Sequence, residues 1–341
     1  MVTIENLEKE LKQGKLNNLY LLYGEETFLL ENIVKKIKSN FGELLKGIND
    51  IVLEENDYAS ILSNIEIPAF GYEKKLVLVK QMGLFQKEGK KKNVTMVKER
   101  EKLIEYLKEN RETIKQTCIL VFIEREVEKN DLYQTIEKLG GTICEFSAQK
   151  PIQITSRIKA IAKAYHVTIE EGAITYLMEC VGTNLQEIIN EIRKLIEYVG
   201  ENGTITKREV DLLTVKQIQA VIFDLTDHLG KRNMKQAMQV LDGLIASKEP
   251  IQKILVTLYN HFKKLYLLKI AIKENKDLAQ SMKLRPNQLF LVNKYKMQTE
   301  YFTEQELRKL VEALIQLDSN YKVGLIDLTI GLEAILCRYC S

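Results

Sequence analysis

Five short, mostly apolar runs, all within the first 146 residues, constrain the fold of this chain more than any other feature. They are Asn18 to Tyr23, Ile51 to Leu53, Leu76 to Val79, Cys118 to Ile123 and Thr142 to Phe146. A segment long enough for a helix separates each from the next. Strands with little polar alternation are buried on both faces, and strands joined by helical crossovers run parallel. The spacing therefore predicts a parallel sheet covered by helices. The first crossover is the clearest: Thr27 to Ser39 carries Leu30, Ile33, Val34 and Ile37 at helical spacing.

After Ser147 to Pro151 the strand signals stop, and the rest of the chain reads as helix. Helices fit 152–165, 169–180 and 184–199. The last has Asn184 as cap, Glu187 three residues on, and Leu185, Ile188, Ile189, Ile192, Leu195 and Ile196 on one face. From about Val215 a third region begins. There Pro250 precedes a helix with Ile254, Leu255, Leu258 and Phe262 inward, and Thr303 with Glu306 forms a capping box. With 341 residues the chain exceeds what one core holds. The fold class is α/β plus all-α, with boundaries at 1–146 (α/β domain), 147–214 (small helical domain) and 215–341 (helical bundle).

An apolar fraction of 45% fills such cores. No uninterrupted apolar stretch approaches the length of a membrane span and the N-terminus has no apolar signal core, so a cytoplasmic protein with no membrane partner is expected. Five cysteines, odd in number and mostly in apolar segments, suit reduced thiols. The net charge of +3 falls short of a dedicated DNA-binding domain, so nucleic acid is at most a shared partner.

A parallel sheet followed by a helical lid invites a nucleotide, and the first βα turn tests this. A phosphate loop needs a second glycine, a lysine and a hydroxyl at fixed spacing, GxxxxGK[ST]. Here Gly24 is followed by Glu25, Glu26, Thr27 and an apolar helix. Two carboxylates stand where phosphates would arrive; at a helix N-terminus they match the dipole instead. After the fourth run Glu124 is followed by Arg125, and it reads as an ordinary surface carboxylate rather than a metal ligand. His166, His228 and His261 lack metal spacing and read as helix-surface or core-edge residues. Cys337 and Cys340 have CxxC spacing without a second pair, and the basic run Lys87 to Lys92 reads as a solvated loop. No catalytic, cofactor-binding or metal-binding residue is expected.

One apolar feature stands apart. Ile65 to Tyr72 ends a helix, and Pro68 and Gly71 force a loop before the Leu76 run. Apolar groups on such a tip are poorly buried by their own domain, so Phe70 is a candidate anchor for a partner's pocket.

Leu19 to Glu26, Val181 to Glu187 running on to Leu195, Ile222 to Asp227, Leu241 to Leu244 with Glu249 and Pro250, and Asp318 to Gly324 with Leu332 and Glu333 succeed one another in an order that resembles the delta subunit of bacterial DNA polymerase III. The resemblance covers nearly the whole chain. It implies an AAA+-like first domain with a degenerate nucleotide site, a helical lid and a C-terminal collar. It also implies a non-ATPase clamp-loader subunit, with nucleotidyl transfer belonging only to the polymerase holoenzyme. Such a subunit binds the beta sliding clamp and opens it for loading onto primed DNA, and assembles with other clamp-loader subunits into a hetero-oligomeric ring. The family's clamp-binding pair maps onto Ala69 and Phe70, with Ile67 and Tyr72 available to supply area that the small Ala69 lacks. Gln186 falls near the position where active relatives carry a phosphate-sensing arginine, and Arg193 lies further along that helix. The rivals are an active ATPase, which needs the missing lysine, and a helical scaffold without clamp affinity, which requires residues 67–72 to be buried.

Overall fold

The computed structural model describes residues 1–54, 58–68, 70–86 and 94–340, without the side chains of Val94 and Cys340; it falls into two compact units, Met1–Ala148 and Gln149–Ser341. Ala69 and the basic run Lys87 to Lys92 lie outside the described residues.

The first unit is a five-stranded parallel sheet of β1 (Leu19–Tyr23), β2 (Asp50–Glu54), β3 (Lys75–Lys80), β4 (Cys118–Glu124) and β5 (Thr142–Glu145), in the order β2-β3-β4-β1-β5. Its helices are α1 (Ile4–Lys12), α2 (Thr27–Phe41), α3 (Tyr58–Glu66), α4 (Val94–Glu109), α5 (Arg111–Thr117) and α6 (Asp131–Lys138). Leu21, Val77, Val79, Leu120 and Phe122 share one core with Ile61 and Ile65 of α3, Leu103 and Leu107 of α4 and Ile136 of α6. The alternate strand residues Tyr20, Leu22, Leu76, Leu78 and Val121 are buried as well, so both sheet faces are covered. α1 packs on α2 and is tied to it where the Asn40 amide donates to the Leu11 carbonyl at 2.5 Å. This is the parallel sheet covered by helices that the apolar runs predict.

The second unit begins with α7 (Pro151–Ala164), α8 (Glu171–Val181), α9 (Leu185–Val199) and α10 (Lys207–Leu213). A reading as helix alone misses one element: β6 (Thr168–Ile169) pairs in parallel with β7 (Thr204–Ile205). Two-residue strands are too short to leave a periodic pattern. The remaining helices are α11 (Ile218–Gly230), α12 (Met234–Ala246), α13 (Ile251–Lys273), α14 (Leu278–Ser281), α15 (Val292–Glu300), α16 (Glu304–Lys322) and α17 (Leu328–Cys340). Phe223, Leu258, Phe262, Leu265, Leu310, Leu314 and Leu332 lie at their common core. Polar ties join α7–α10 to this bundle: Lys294 pairs with Glu179 at 3.0 Å, and Asn287 donates to Thr183 at 2.7 Å. Among the described residues no helix is long and apolar enough to cross a membrane.

His261 departs from its sequence reading. It is fully buried on α13, with Nε2 2.8 Å from Gln298 Oε1 and Nδ1 3.3 Å from Gln219 Nε2. Burial, reinforced by Lys264 and Lys294 and opposed by the Gln298 bond, pushes it down to about 3. It is a core residue rather than one at the edge.

Candidate functional site

A parallel sheet offers its carboxyl edge to ligands, and here that edge opens into a cavity of about 630 Å³ lined by Gly24, Thr27, Lys38, Lys80 and Glu124 among others. Two of its lysines are already paired. Lys38 pairs with Asp50 at 2.6 Å and Lys80 with Glu54 at 2.8 Å. The turn amides that would ring a phosphate are bonded to carbonyls: Gly24 to Glu124 (3.2 Å), Glu26 to Phe146 (2.9 Å) and Thr27 to Glu25 (3.0 Å). Gly24 sits at φ +138°, where a Cβ would come within 2.2 Å of the Phe146 carbonyl oxygen. The chain crosses itself where a nucleotide's phosphates would need to lie.

Glu124 is not the surface carboxylate its position after a strand suggests. It is 5% exposed and accepts the Gly83 amide at 3.0 Å, with the Met82 and Leu84 amides also bonding to it. Burial outweighs those amides and raises its carboxyl to about 7. It therefore holds the turn after β3 instead of a metal. Because the folded value lies above the ordinary one, its stabilising contribution is present below about pH 4.5 and lost as pH rises through 7. Replacing Glu124 by Gln should abolish a gain of about 2 kcal/mol that the first unit makes between pH 7 and pH 5. Native-state hydrogen exchange of β4 amides at the two pH values measures this; an unchanged slope in the variant would assign it elsewhere.

At the opposite, amino edge lies the loop between α3 and β3. α3 buries Tyr58, Ile61 and Ile65, and the chain then leaves the domain surface. Phe70 is 90% exposed and Ile67 is 62% exposed, while Tyr72 is half-buried. The described part of the loop is thus not packed under the sheet edge. Its shape is set by Pro68 and by Gly71, which takes φ +77°, a left-handed conformation natural to glycine. An isolated aromatic ring held in water retains most of the driving force that burial in a partner would release, about 2 to 3 kcal/mol.

Of the other sequence candidates, Gln186 bonds Asn190 at 2.9 Å on the exposed side of α9, and Arg193 is exposed. Cys118 and Cys144 are buried, and burial pushes both thiols up to about 12. Among the described residues no group of three or more His, Cys, Asp or Glu is placed to hold a metal. Sequence reasoning missed Lys75, which is buried beneath the loop and donates from Nζ to the Ile67 carbonyl.

Family comparison adds to this geometry. Residues 20–149 match the family model described as DNA polymerase III, delta subunit, and residues 219–339 match the one for that subunit's C-terminal domain. DNA polymerase III subunit delta of Bacillus subtilis is 27% identical over 97% of this chain and 95% of its own length. The probable delta subunit of Aquifex aeolicus is 27% identical over 91% of this chain and 87% of its own. Among solved structures, the Bacillus subtilis DNA clamp loader delta protein superposes with a TM-score of 0.69, at 26% identity, over 99% of both chains. Two family models in the right order and relatives matched over most of their length lead to one conclusion: the chain belongs to the DNA polymerase III delta-subunit family.

Proposed function

We propose that this chain is the non-ATPase delta subunit of a replicative clamp loader, and that it binds the beta sliding clamp through the loop carrying Phe70. The observation that carries the reading is an aromatic side chain 90% exposed at the tip of a loop, on a domain whose first βα turn bonds its amides to its own carbonyls. Ile67 and Tyr72 would flank the ring in the clamp pocket, and Ala69 would lie between them in sequence. Residues 147–214 serve as the lid and 215–341 as the collar that joins the other loader subunits around primed DNA, in the cytoplasm.

Binding opens a ring only if the subunit prefers the open interface, because a ligand shifts an equilibrium by its differential affinity alone. Phe70 supplies the anchoring energy, and the adjacent α3 would press on the clamp's subunit interface.

The test is a titration of immobilised sliding clamp with the purified chain, without nucleotide, beside Phe70→Ala. The variant should lose about 2 kcal/mol or more of binding, roughly thirtyfold in Kd. Equal affinity would move the anchor to another surface. No binding by the folded wild type would favour a scaffold without clamp affinity.

A further inference from the structure

Lys75 opens β3 and lies under the loop at 3% exposure, an unusual place for an ammonium group. Among the described residues it forms no ion pair with a carboxylate. Its neighbour in register is Cys118, whose thiol burial keeps neutral. A buried cation without an anion is expensive unless its protons are well bonded, and burial lowers the Lys75 pKa accordingly. The described acceptor is the Ile67 carbonyl.

That carbonyl is where α3 ends. The Ile67 amide donates to the Ser63 carbonyl at 3.0 Å, so the peptide groups on both sides of Ile67 are fixed, and Pro68 restricts Ile67 before it. Lys75 is the first residue of the strand on the far side. One side chain thus closes the loop by bonding its end to its beginning, with Phe70 between the two anchor points.

We infer that Lys75 is a positioning residue for partner binding: its ammonium clasps Ile67 so that Phe70 is presented in the conformation a clamp pocket receives. This rests on the clamp-binding reading above and adds to it a residue that touches no partner. A loop ordered in advance loses little freedom on docking, whereas an unclasped loop must be ordered by the partner at the expense of affinity. The clasp is built from a group that costs the fold something to bury. Replacing it with an apolar side chain of similar length should therefore separate presentation from stability.

The variant is Lys75→Met in the full chain, measured beside the wild type and Phe70→Ala for clamp affinity, thermal midpoint and hydrogen exchange at the end of α3. The expected result is clamp binding weakened about tenfold, as for loss of one ordering hydrogen bond to a charged group. The thermal midpoint should be unchanged or higher, and the Ile67 amide should exchange faster. Lys75→Arg, which keeps a donor of similar reach, should recover part of the affinity. Wild-type affinity in Lys75→Met overturns the inference while leaving Phe70 as anchor if Phe70→Ala is weak. Wild-type affinity in both variants removes the underlying reading instead. If Lys75→Met does not fold, Lys75→Leu replaces it, and failure of both to fold would make Lys75 a structural residue and end the proposal.

Discussion

Gly24→Ala should unfold the first unit or come close to it, with a loss of about 3 to 5 kcal/mol. Two penalties combine. The backbone stands at φ +138°, which an alanine rarely adopts, and the new Cβ would meet the Phe146 carbonyl oxygen at 2.2 Å, with the Phe146 carbonyl carbon at 2.5 Å. Neither neighbour is the flexible end of a side chain. The strand ends beside them are held by the bond from the Phe146 amide to the Tyr23 carbonyl at 2.6 Å, so local relaxation breaks pairing elsewhere. Gly71→Ala is the matched control: it also has a left-handed φ, but among the described residues nothing lies within 4 Å of its Cβ, and about 1 kcal/mol is expected. Hydrogen exchange of β1 and β5 amides reads the difference. Equal protection in the two variants would mean that the crossing at Phe146 is looser than its distances indicate.

Lowering the pH from 7.5 to 5 should weaken the second unit by about 2 kcal/mol through His261 alone. An unfolded histidine protonates near pH 6.5, whereas burial holds the folded one down to about 3. Below pH 6.5 the unfolded chain therefore binds a proton that the folded unit refuses. The stabilising contribution is whole above that pH and declines as pH falls toward 3. Burial is the main cause, and the nearby Lys264 and Lys294 add to it against the opposing Gln298 bond. His261→Gln should shrink the pH difference by about that amount, as measured by exchange of α13 amides. The first unit moves the opposite way over the same range because of Glu124. The stability of the first unit relative to the second should therefore rise by about 4 kcal/mol on acidification, and parallel shifts in both would contradict both assignments.

These titrating groups mark where the sequence stopped being legible. The strands could be read because their apolar character is continuous and carried by each run itself. β4 and β3 were located to within a residue or two from Cys118 to Ile123 and Leu76 to Val79. The loop at Phe70 could be read because Pro68 and Gly71 are local signals. His261 could not: among Leu258, Phe262 and Leu265 it looks like any polar interruption of a helix, and its partners Gln219 and Gln298 come from other helices. Glu124 is buried by a turn forty residues earlier in the chain, and the bond from Lys75 to Ile67 forms only once a loop has folded back. What sequence pattern conveys is burial by neighbours along the chain; what it omits is a polar partner delivered by topology.

The strand order carries a consequence for how the protein is made. β1 lies between β4 and β5, with Leu19 paired to Leu120 and Tyr20 to Thr142, and the turn after it is closed by Phe146. A ribosome emitting this chain from its N-terminus would have to release almost the whole first unit before β1 found either neighbour. Until then the apolar run from Leu19 to Tyr23 waits exposed, a natural target for a holding chaperone.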